Sequence, residues 1–235
     1  MPLPDADLHP VATGLAKQTV DNHSAEQQLK LFAGWFCPFV QRAWITLEEK
    51  GIPYQYIEVN PYNKGPELMR SNPRGLVPTL EVAPGKSLYE STVLSFHRLL
   101  QFQPASYEGD GAARLDELRV EFRQCLLEFA GEMVDASQGP FFAGKEIGLV
   151  DITLLPWAIR LWIFDEFKGG LGIPEKGDEE RWDRWHVWLA AVKERKSVKK
   201  TTSDREHYFP LFKRYADDSA QSELAKATRA GRGVP

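Results

Sequence analysis

The sequence predicts two domains of different class, an α/β domain followed by a domain built only of helices. Strand-like and helix-like segments alternate in the first part of the chain, whereas we find no convincing strand pattern after Gly109. The stretch QPASYEGDG between the two parts is rich in turn-forming residues, as domain boundaries often are. We therefore expect domains over residues 28–104 and 105–235, preceded by a flexible N-terminal arm over residues 1–27.

The first domain has the order strand, helix, strand, helix, two strands and helix. Its segments, judged from apolar periodicity and from Gly and Pro positions, are 28–34, 39–51, 52–60, 66–72, 78–90 and 91–101. A helix that joins the first two strands makes them parallel, with a right-handed crossover. This βαβαββα order is the thioredoxin-like layout.

The second domain is predicted to contain three main helices. Residues 112–136 form a long amphipathic helix, in which Cys125 is expected to be inert core packing. Residues 149–167 form one very apolar helix that could be buried all round. In the helix 179–196, tryptophans recur every three residues and are expected to form a core stripe. They are Trp182, Trp185 and Trp188.

Composition excludes several classes of function. The net charge of −4 gives no basic footprint for nucleic acid, and no apolar run reaches the ~18 residues of a membrane span. The five histidines lack metal-ligand spacing, so no metal is expected. Two cysteines in 235 residues cannot make a disulfide framework. We expect a cytoplasmic protein with neither nucleic acid nor membrane as a partner.

The stretch WFCPFVQRAW places a cysteine where a reactive thiol is favoured. The first strand ends near Gly34, and proline is preferred in the first helical turn, so Cys37 falls at the N-cap before Pro38. The unpaired N–H groups and the positive dipole end of the helix then favour the thiolate. Cysteines in such positions have a pKa of roughly 3.5 to 7.5. We predict that Cys37 is largely ionised at neutral pH.

The surroundings of Cys37 suggest a monothiol mechanism with an external thiol. Position 40 is valine, so there is no local dithiol and an outside thiol must resolve any mixed disulfide. In thioredoxin-like folds, a proline at the position of Pro78 is cis and faces the active cysteine. The preceding Val77 would offer its N–H and C=O to an extended peptide.

Three further residues suggest which thiol binds. Ser91 opens a predicted helix, where its N–H would favour a carboxylate, and the neighbouring Glu90 could receive an ammonium. Lys64, in the loop before, could hold a second carboxylate. Taken singly, each of these signals is weak. A carboxylate site beside an ammonium site matches the γ-glutamyl end of glutathione.

Four motifs occur in the order and spacing of the glutathione transferase superfamily, namely CPFVQR, NPYNKGPE, NPRGLVPTL and LYES. Within that superfamily the chain resembles the omega class in particular. The resemblance is specific over residues 28–102 and looser beyond. It implies that Cys37 forms the mixed disulfide with glutathione. It also implies a homodimer, a detoxification role and a set of glutathione contacts, namely Phe39, Lys64, Val77, Pro78, Glu90 and Ser91.

The chain departs from the superfamily pattern at one helix start in the second domain. The family usually has a Ser/Thr-x-x-Asp capping box there, whereas this chain reads Gly148-Leu149-Val150-Asp151. Glycine at an N-cap costs only a few tenths of a kcal/mol relative to serine, so the fold is not in doubt.

The resemblance implies an omega-class-like glutathione transferase that acts as a glutathione-dependent thiol transferase and reductase. Implied reactions are deglutathionylation and the reduction of disulfides, dehydroascorbate and phenacyl-glutathione. The second substrate should bind over Cys37, between the domains. Candidate lining residues, for which ordinary helix packing is an alternative explanation, are Phe122, Leu126, Phe129, Arg160 and Phe164.

Two other functions are compatible with the sequence. One is a ligand carrier of the same fold that holds aromatic or phenolic molecules. The other is a chloride intracellular channel-like protein, which shares the Cys-Pro-Phe and Gln-Arg residues and whose first helix is proposed to insert into membranes. Glu48, Glu49 and Lys50 lie in that helix here and disfavour insertion by a few kcal/mol per charge.

Overall fold

The computed structural model describes residues 8–83, 86–88 and 95–231. The chain divides into two compact units. The first comprises Met1–Thr92 and Lys196–Leu211, and the second comprises Val93–Arg195 and Phe212–Pro235. The segment Lys196–Leu211 therefore belongs to the α/β unit, whereas the predicted division assigns it to the helical domain.

The first unit is built on a mixed four-stranded sheet with the strand order β2-β1-β3-β4. β1 pairs in parallel with β2 and antiparallel with β3, and β3 pairs antiparallel with β4. The elements are α1 (Gly14–Asn22), β1 (Lys30–Ala33), α2 (Pro38–Lys50), β2 (Gln55–Glu58), α3 (Pro66–Ser71), β3 (Thr79–Ala83), β4 (Lys86–Leu88) and α9 (Lys196–Lys200). With α4 (Ser95–Gln101) next in the chain, the predicted βαβαββα order is confirmed.

Helix α2 ends and packs as the sequence predicts. Gly51 adopts the left-handed conformation (φ 59°) as the C-cap, where a side chain would add strain. On the buried face, the Gln41 amide donates to the Thr201 carbonyl at 3.0 Å and to Thr202 Oγ1 at 2.9 Å. These bonds attach α2 to the segment that follows α9. The first turn of α2 is therefore held from outside the sheet as well.

The N-terminal arm differs from the flexible segment that the sequence suggests. Residues Gly14–Asn22 form α1, with Ala16 fully buried. Thr13 donates its backbone N–H to Ser203 Oγ at 3.2 Å, and its hydroxyl accepts the Asp204 N–H at 2.9 Å. The partners lie about 190 residues away in the chain, so no local sequence pattern could indicate them.

The second unit is helical, as predicted. In its described residues the connections contain two short 3-10 helices, Pro104–Ser106 and Ala136–Gln138, and one isolated bridge between Phe141 and Gly144. The helices are α4 (Ser95–Gln101), α5 (Gly111–Gly131), α6 (Leu149–Ala158), α7 (Trp162–Lys168), α8 (Glu180–Glu194) and α11 (Glu223–Arg229), while α10 (Arg205–Ala216) begins in the first unit.

The single apolar helix predicted over residues 149–167 is wrong, because the structure divides it into α6 and α7. Pro156 lies in the last turn of α6, where it removes one backbone N–H from the helical ladder. Beyond Ile159 the backbone N–H groups bond three residues back, as Arg160 does to Trp157 at 2.9 Å and Leu161 does to Ala158 at 3.3 Å. Nor is this segment buried all round, because Leu149 is 76% exposed.

The tryptophan stripe of α8 is confirmed as core. Trp182, Trp185 and Trp188 are each at most 2% exposed. The expectation for Cys125 is wrong, since its side chain is exposed. The buried face of α5 runs through Leu118, Phe122, Leu126 and Ala130 at steps of four, and Cys125 lies beside this row rather than on it.

The start of α6 retains half of a capping box. Asp151, fully buried, accepts the Gly148 N–H on Oδ2 at 2.7 Å. Asp151 Oδ1 accepts the Phe142 N–H at 2.8 Å and the Trp188 Nε1–H at 2.7 Å. One carboxylate therefore joins the helix start, the preceding loop and α8.

We expect Gly148→Ser to raise the free energy of unfolding by only a few tenths of a kcal/mol. A Cβ at Gly148 would meet Asp151 Oδ2 at an ordinary 3.6 Å, and the backbone there is extended, so serine fits. The absence of a serine hydroxyl at position 148 therefore costs little stability, because the Asp151 carboxylate still accepts the Gly148 N–H. Urea unfolding of both proteins measures the difference. A gain above about 1 kcal/mol, the usual worth of a complete cap, would contradict this reading.

Candidate functional site

Cys37 lies where the sequence predicts, between β1 and α2. It is the N-cap of α2, with φ −77° and ψ 119°, and Pro38 is the first helical residue. Its backbone N–H donates to the Gly34 carbonyl at 2.9 Å, and its carbonyl accepts the Gln41 N–H at 3.0 Å. The residue is partly exposed. The sulfur therefore combines access to solvent with the N-terminus of a thirteen-residue helix.

The residues on either side of Cys37 are aromatic and buried. Trp35, Phe36 and Phe39 are each less than 10% exposed. The Phe36 ring stacks on Tyr62 with the ring centroids 5.8 Å apart and the planes nearly parallel. Phe39, a predicted glutathione contact, points mostly into the unit, with only 8% of its surface exposed. These rings fix the backbone around the cysteine.

The Val77–Pro78 peptide bond is cis. Buried polar groups hold the loop that carries it. The Asn72 amide donates to Thr79 Oγ1 at 3.0 Å and to the Leu76 carbonyl at 3.2 Å, and Thr79 Oγ1 donates to the same carbonyl at 2.8 Å. Asn72 and Thr79 are both fully buried. The two side chains brace the loop on either side of Val77.

Sequence reasoning missed Asn72 and Thr79. The sequence could have indicated the role of Asn72, because Asn before Pro-x-Gly is typical of an Asx turn. The structure contains that turn, in which Asn72 Oδ1 accepts the Arg74 N–H at 3.0 Å. Gly75 follows with φ +63° and donates to the Asn72 carbonyl at 2.8 Å.

We expect Asn72→Ala to destabilise the protein by about 1–3 kcal/mol, because it leaves buried donors and acceptors without partners. The Val77 backbone should then be less fixed, and affinity for a glutathione analogue should fall several-fold. Calorimetric titration with S-methylglutathione measures this without any reaction at sulfur. Asn63→Ala, at an exposed asparagine in the loop before α3, is the matched control. Equal affinity in the two variants would show that the brace is irrelevant to binding.

The other predicted glutathione contacts are only partly described. Lys64 is exposed, and its Nζ donates to the Arg74 carbonyl at 3.3 Å, beside the loop that carries Val77. Glu90 and Ser91 lie outside the described residues. Within the first unit, the chain thus places Cys37, the cis peptide and one exposed cation on neighbouring loops of a single sheet.

A carboxylate lies beside the cysteine turn that the sequence analysis did not single out. Glu58, the last residue of β2, accepts the Trp35 N–H on Oε1 at 3.1 Å and the Ala12 N–H on Oε2 at 3.3 Å. Burial raises the pKa of Glu58 to about 7, against the lowering effect of these hydrogen bonds. Glu58 is thus close to half-ionised at neutral pH.

This pKa predicts a pH dependence of stability. A carboxyl whose pKa rises on folding holds more protons in the folded than in the unfolded protein between pH ~4.5 and ~7, so stability falls as pH rises through that window. The loss is at most about 3–4 kcal/mol, because the pKa rises from 4.5 to about 7 and each unit is worth about 1.4 kcal/mol. Urea unfolding at pH 5 and pH 8 should show this loss in the native protein and less of it in Glu58→Gln. An equal loss of stability between pH 5 and pH 8 in both proteins would exclude Glu58 as the source of the pH dependence.

The predicted second-substrate residues lie mainly in the core of the second unit. Phe164 is fully buried and packs against Phe96, with ring centroids 4.9 Å apart. Phe122 and Leu126 are on the buried face of α5, and Arg160 is 3% exposed. Burial favours the helix-packing interpretation for these four residues, because a side chain without accessible surface cannot line an open cleft.

The fifth of these residues, Phe129, is partly exposed. Its ring packs against Trp188, with the centroids 5.1 Å apart, and against Phe142 at 5.2 Å. It therefore belongs to the same aromatic cluster as the tryptophan stripe.

The part of the chain that the structure describes contains no group of three or more His, Cys, Asp or Glu side chains that could hold a metal ion. His97 is buried, and burial lowers its pKa to about 4, so the ring is neutral at physiological pH. No helix among the described residues is both long and apolar enough to cross a membrane.

Two family models match the chain. Residues 36–95 match the glutathione S-transferase N-terminal domain, and residues 112–191 match the glutathione S-transferase C-terminal domain. Each match covers most of one predicted domain.

Individual relatives agree with the family models. The crystal structure of glutathione transferase Omega 3C from Trametes versicolor is 36% identical and covers 90% of this chain and 100% of its own, with a TM-score of 0.73. Pyrimidodiazepine synthase of Drosophila melanogaster is 30% identical over 70% of this chain and 76% of that protein. Glutathione S-transferase omega-1 of Sus scrofa is 28% identical over 58% and 68%. The chain therefore belongs to the glutathione transferase superfamily, is omega-like within it, and is an enzyme of the glutathione transferase and glutathione-dependent oxidoreductase type.

Proposed function

We propose that this enzyme is a thiol transferase that reduces glutathione mixed disulfides through a Cys37–glutathione intermediate. The observation that carries the proposal is the position of Cys37, a partly exposed thiol at the N-cap of α2. The nearby cis Val77–Pro78 peptide supports it, because its backbone can pair with an extended peptide such as glutathione. No second cysteine stands in the first turns of α2, which favours an external resolving thiol.

The first step is thiol–disulfide exchange at the glutathione sulfur. The Cys37 thiolate attacks that sulfur, a bond forms between the two sulfurs, and the original disulfide bond breaks. The substrate leaves as a thiolate and takes a proton from water. Ionisation of Cys37 is favoured by the helix N-terminus, where first-turn N–H groups lack intrahelical partners.

The second step restores the enzyme. The thiolate of a second glutathione attacks the sulfur of the bound glutathione, so that oxidised glutathione leaves and the Cys37 thiolate returns. One free glutathione is thus consumed per mixed disulfide, because the other half of the oxidised glutathione comes from the substrate itself. Dehydroascorbate and phenacyl-glutathione are proposed as further substrates. Reduction of dehydroascorbate takes two electrons and two protons from two free glutathiones, which leave as oxidised glutathione. Phenacyl-glutathione supplies one glutathionyl group itself, so one free glutathione completes its reduction to the ketone.

We propose that six residues bind glutathione beside Cys37. Val77 supplies backbone pairing, and Lys64 supplies a cation for a carboxylate. Phe39 and Pro78 would shape the floor of the site, and Glu90 and Ser91 would bind the γ-glutamyl end. We also propose that the enzyme is a homodimer, as is usual in the superfamily.

The described residues give the carrier function no specific support, since Phe122 and Phe164, two of the aromatic residues suggested for the second-substrate site, are buried. Steady-state assays separate the two functions. The native enzyme should reduce the mixed disulfide of glutathione and 2-mercaptoethanol, with glutathione as reductant, far faster than it conjugates glutathione to 1-chloro-2,4-dinitrobenzene. Conjugation without reduction, or tight binding of an aromatic dye with no turnover, would overturn the proposal.

A further inference from the structure

The turn that presents Cys37 is anchored at its second residue. Gly34 and Cys37 are its first and last residues, joined by the Cys37 N–H to Gly34 carbonyl bond of 2.9 Å. Between them, Trp35 donates its backbone N–H to Glu58 Oε1 at 3.1 Å. An ionised carboxylate accepts such a bond more strongly than its protonated form does, so the bond holds the turn against the end of β2 most firmly when Glu58 is ionised.

The second oxygen of the same carboxylate binds the N-terminal arm. Glu58 Oε2 accepts the Ala12 N–H at 3.3 Å, and Ala12 is 1% exposed. Ala12 and Trp35 are thus joined through one side chain. A shift of either backbone segment changes the optimal position of the carboxylate for the other.

The arm also binds Trp35 directly. The Trp35 indole N–H donates to the His9 carbonyl at 3.0 Å. The indole packs edge-on against Tyr208, with centroids 5.0 Å apart, and the His9 ring lies 4.3 Å from His207. Both residues of α10 belong to the first unit, so the whole arrangement lies within one compact unit.

We propose that Glu58 is a positioning residue for Cys37, through which the arm segment His9–Ala12 controls how firmly the cysteine is held at the N-cap of α2. A thiolate gains from a helix N-terminus only while it stays close to the first turn, because the effect falls off within that turn. Loss of the arm should therefore destabilise the thiolate. The inference deepens the proposed function, because it concerns the reactivity of the same cysteine.

Several titratable groups surround this link. Tyr56 lies on β2 with Glu58, Tyr208 and His207 lie on α10, His9 lies on the arm, and Cys37 lies on the turn itself. Burial and, to a smaller extent, the charge of Glu58 raise the pKa of Tyr56, so the tyrosine stays neutral. Replacing Glu58 removes a negative charge near Cys37 as well as the link. A single substitution therefore cannot isolate positioning, and a pairwise design is needed.

The test measures the pH midpoint of Cys37 alkylation by iodoacetamide, in a Cys125→Ser background that leaves one thiol. Four proteins form a cycle, with and without residues 1–12 and with Glu or Gln at position 58. Deletion of residues 1–8 is the matched control, because the described contacts of the arm with the turn begin at His9. Circular dichroism of each protein checks that it is folded.

We expect the 1–12 deletion to raise the midpoint by about half a pH unit, roughly a threefold loss of reactivity below the midpoint, when Glu58 is present. In the Glu58→Gln background the same deletion should have a clearly smaller effect, because only the direct bond between His9 and the Trp35 indole is then lost. The 1–8 deletion should have no effect in either background. An equal shift in both backgrounds, or no shift with Glu58 present, would refute the link. A native midpoint close to the free-thiol value of about 8.5 would instead contradict the ionised Cys37 that the proposed function requires. The comparison of the deletion between the two backgrounds would still test the link through Glu58.

Discussion

Replacing Cys37 by serine is expected to abolish disulfide reduction, with a fall in kcat/KM of about three orders of magnitude or more. A serine hydroxyl is not ionised at neutral pH and cannot form the mixed disulfide on which both steps depend. Serine is close in size to cysteine, and the site is partly exposed, so the fold should tolerate the change. The measurement is a glutathione-coupled assay with the mixed disulfide of glutathione and 2-mercaptoethanol.

The matched control is Cys125→Ser, at the only other cysteine of the chain. Its side chain is exposed on α5 and lies in the second unit, so activity should stay within about twofold of the native value, as is usual for surface changes. Retention of a tenth or more of the activity in Cys37→Ser would mean that another group carries the reaction. A large loss in both variants would point to a role for Cys125 that the structure does not indicate.

Replacing Asp151 by alanine is expected to produce the largest loss of stability of the substitutions considered, about 3–5 kcal/mol. The carboxylate is fully buried and accepts three N–H groups, from Gly148, Phe142 and Trp188. Alanine leaves all three donors without this acceptor, two of them on backbone that cannot rearrange cheaply. Urea unfolding followed by tryptophan fluorescence measures the change.

The two oxygens allow a graded control. Asp151→Asn keeps an acceptor at Oδ1 for Phe142 and Trp188 but turns an amide N–H toward Gly148, so it should cost less than alanine. Asp165→Ala, at an exposed carboxylate on α7, should change stability by less than about 0.5 kcal/mol. If Asp151→Ala and Asp165→Ala cost the same, the carboxylate does not join α6 to α8 in the way described.

Local sequence patterns predicted the elements that position the catalytic candidate. The strand before Gly34, the proline after Cys37 and the glycine at position 51 each have a local physical meaning, and the structure confirms the helix that they delimit. The cis bond before Pro78 follows the fold-level expectation as well. These features depend on neighbours within a few residues, which the sequence displays directly.

The features that the sequence did not reveal depend on distant partners. Helix α1 is held by Ser203 and Asp204, and Glu58 joins segments that lie 23 and 46 residues from it. A strand-terminal glutamate usually means an exposed end, so nothing local indicated that Glu58 is partly buried and bonded to two backbone segments. The break between α6 and α7 could have been predicted from the sequence, because Pro156 within an apolar run is a known helix-breaking signal.

The central claim, that Cys37 accepts glutathione, is tested most directly by intact-mass spectrometry after incubation with oxidised glutathione. The native protein should gain the mass of one glutathione, the Cys125→Ser protein should gain the same, and Cys37→Ser should gain none. Dithiothreitol should remove the added mass. An unmodified native protein, or an adduct that persists in Cys37→Ser, would contradict the claim.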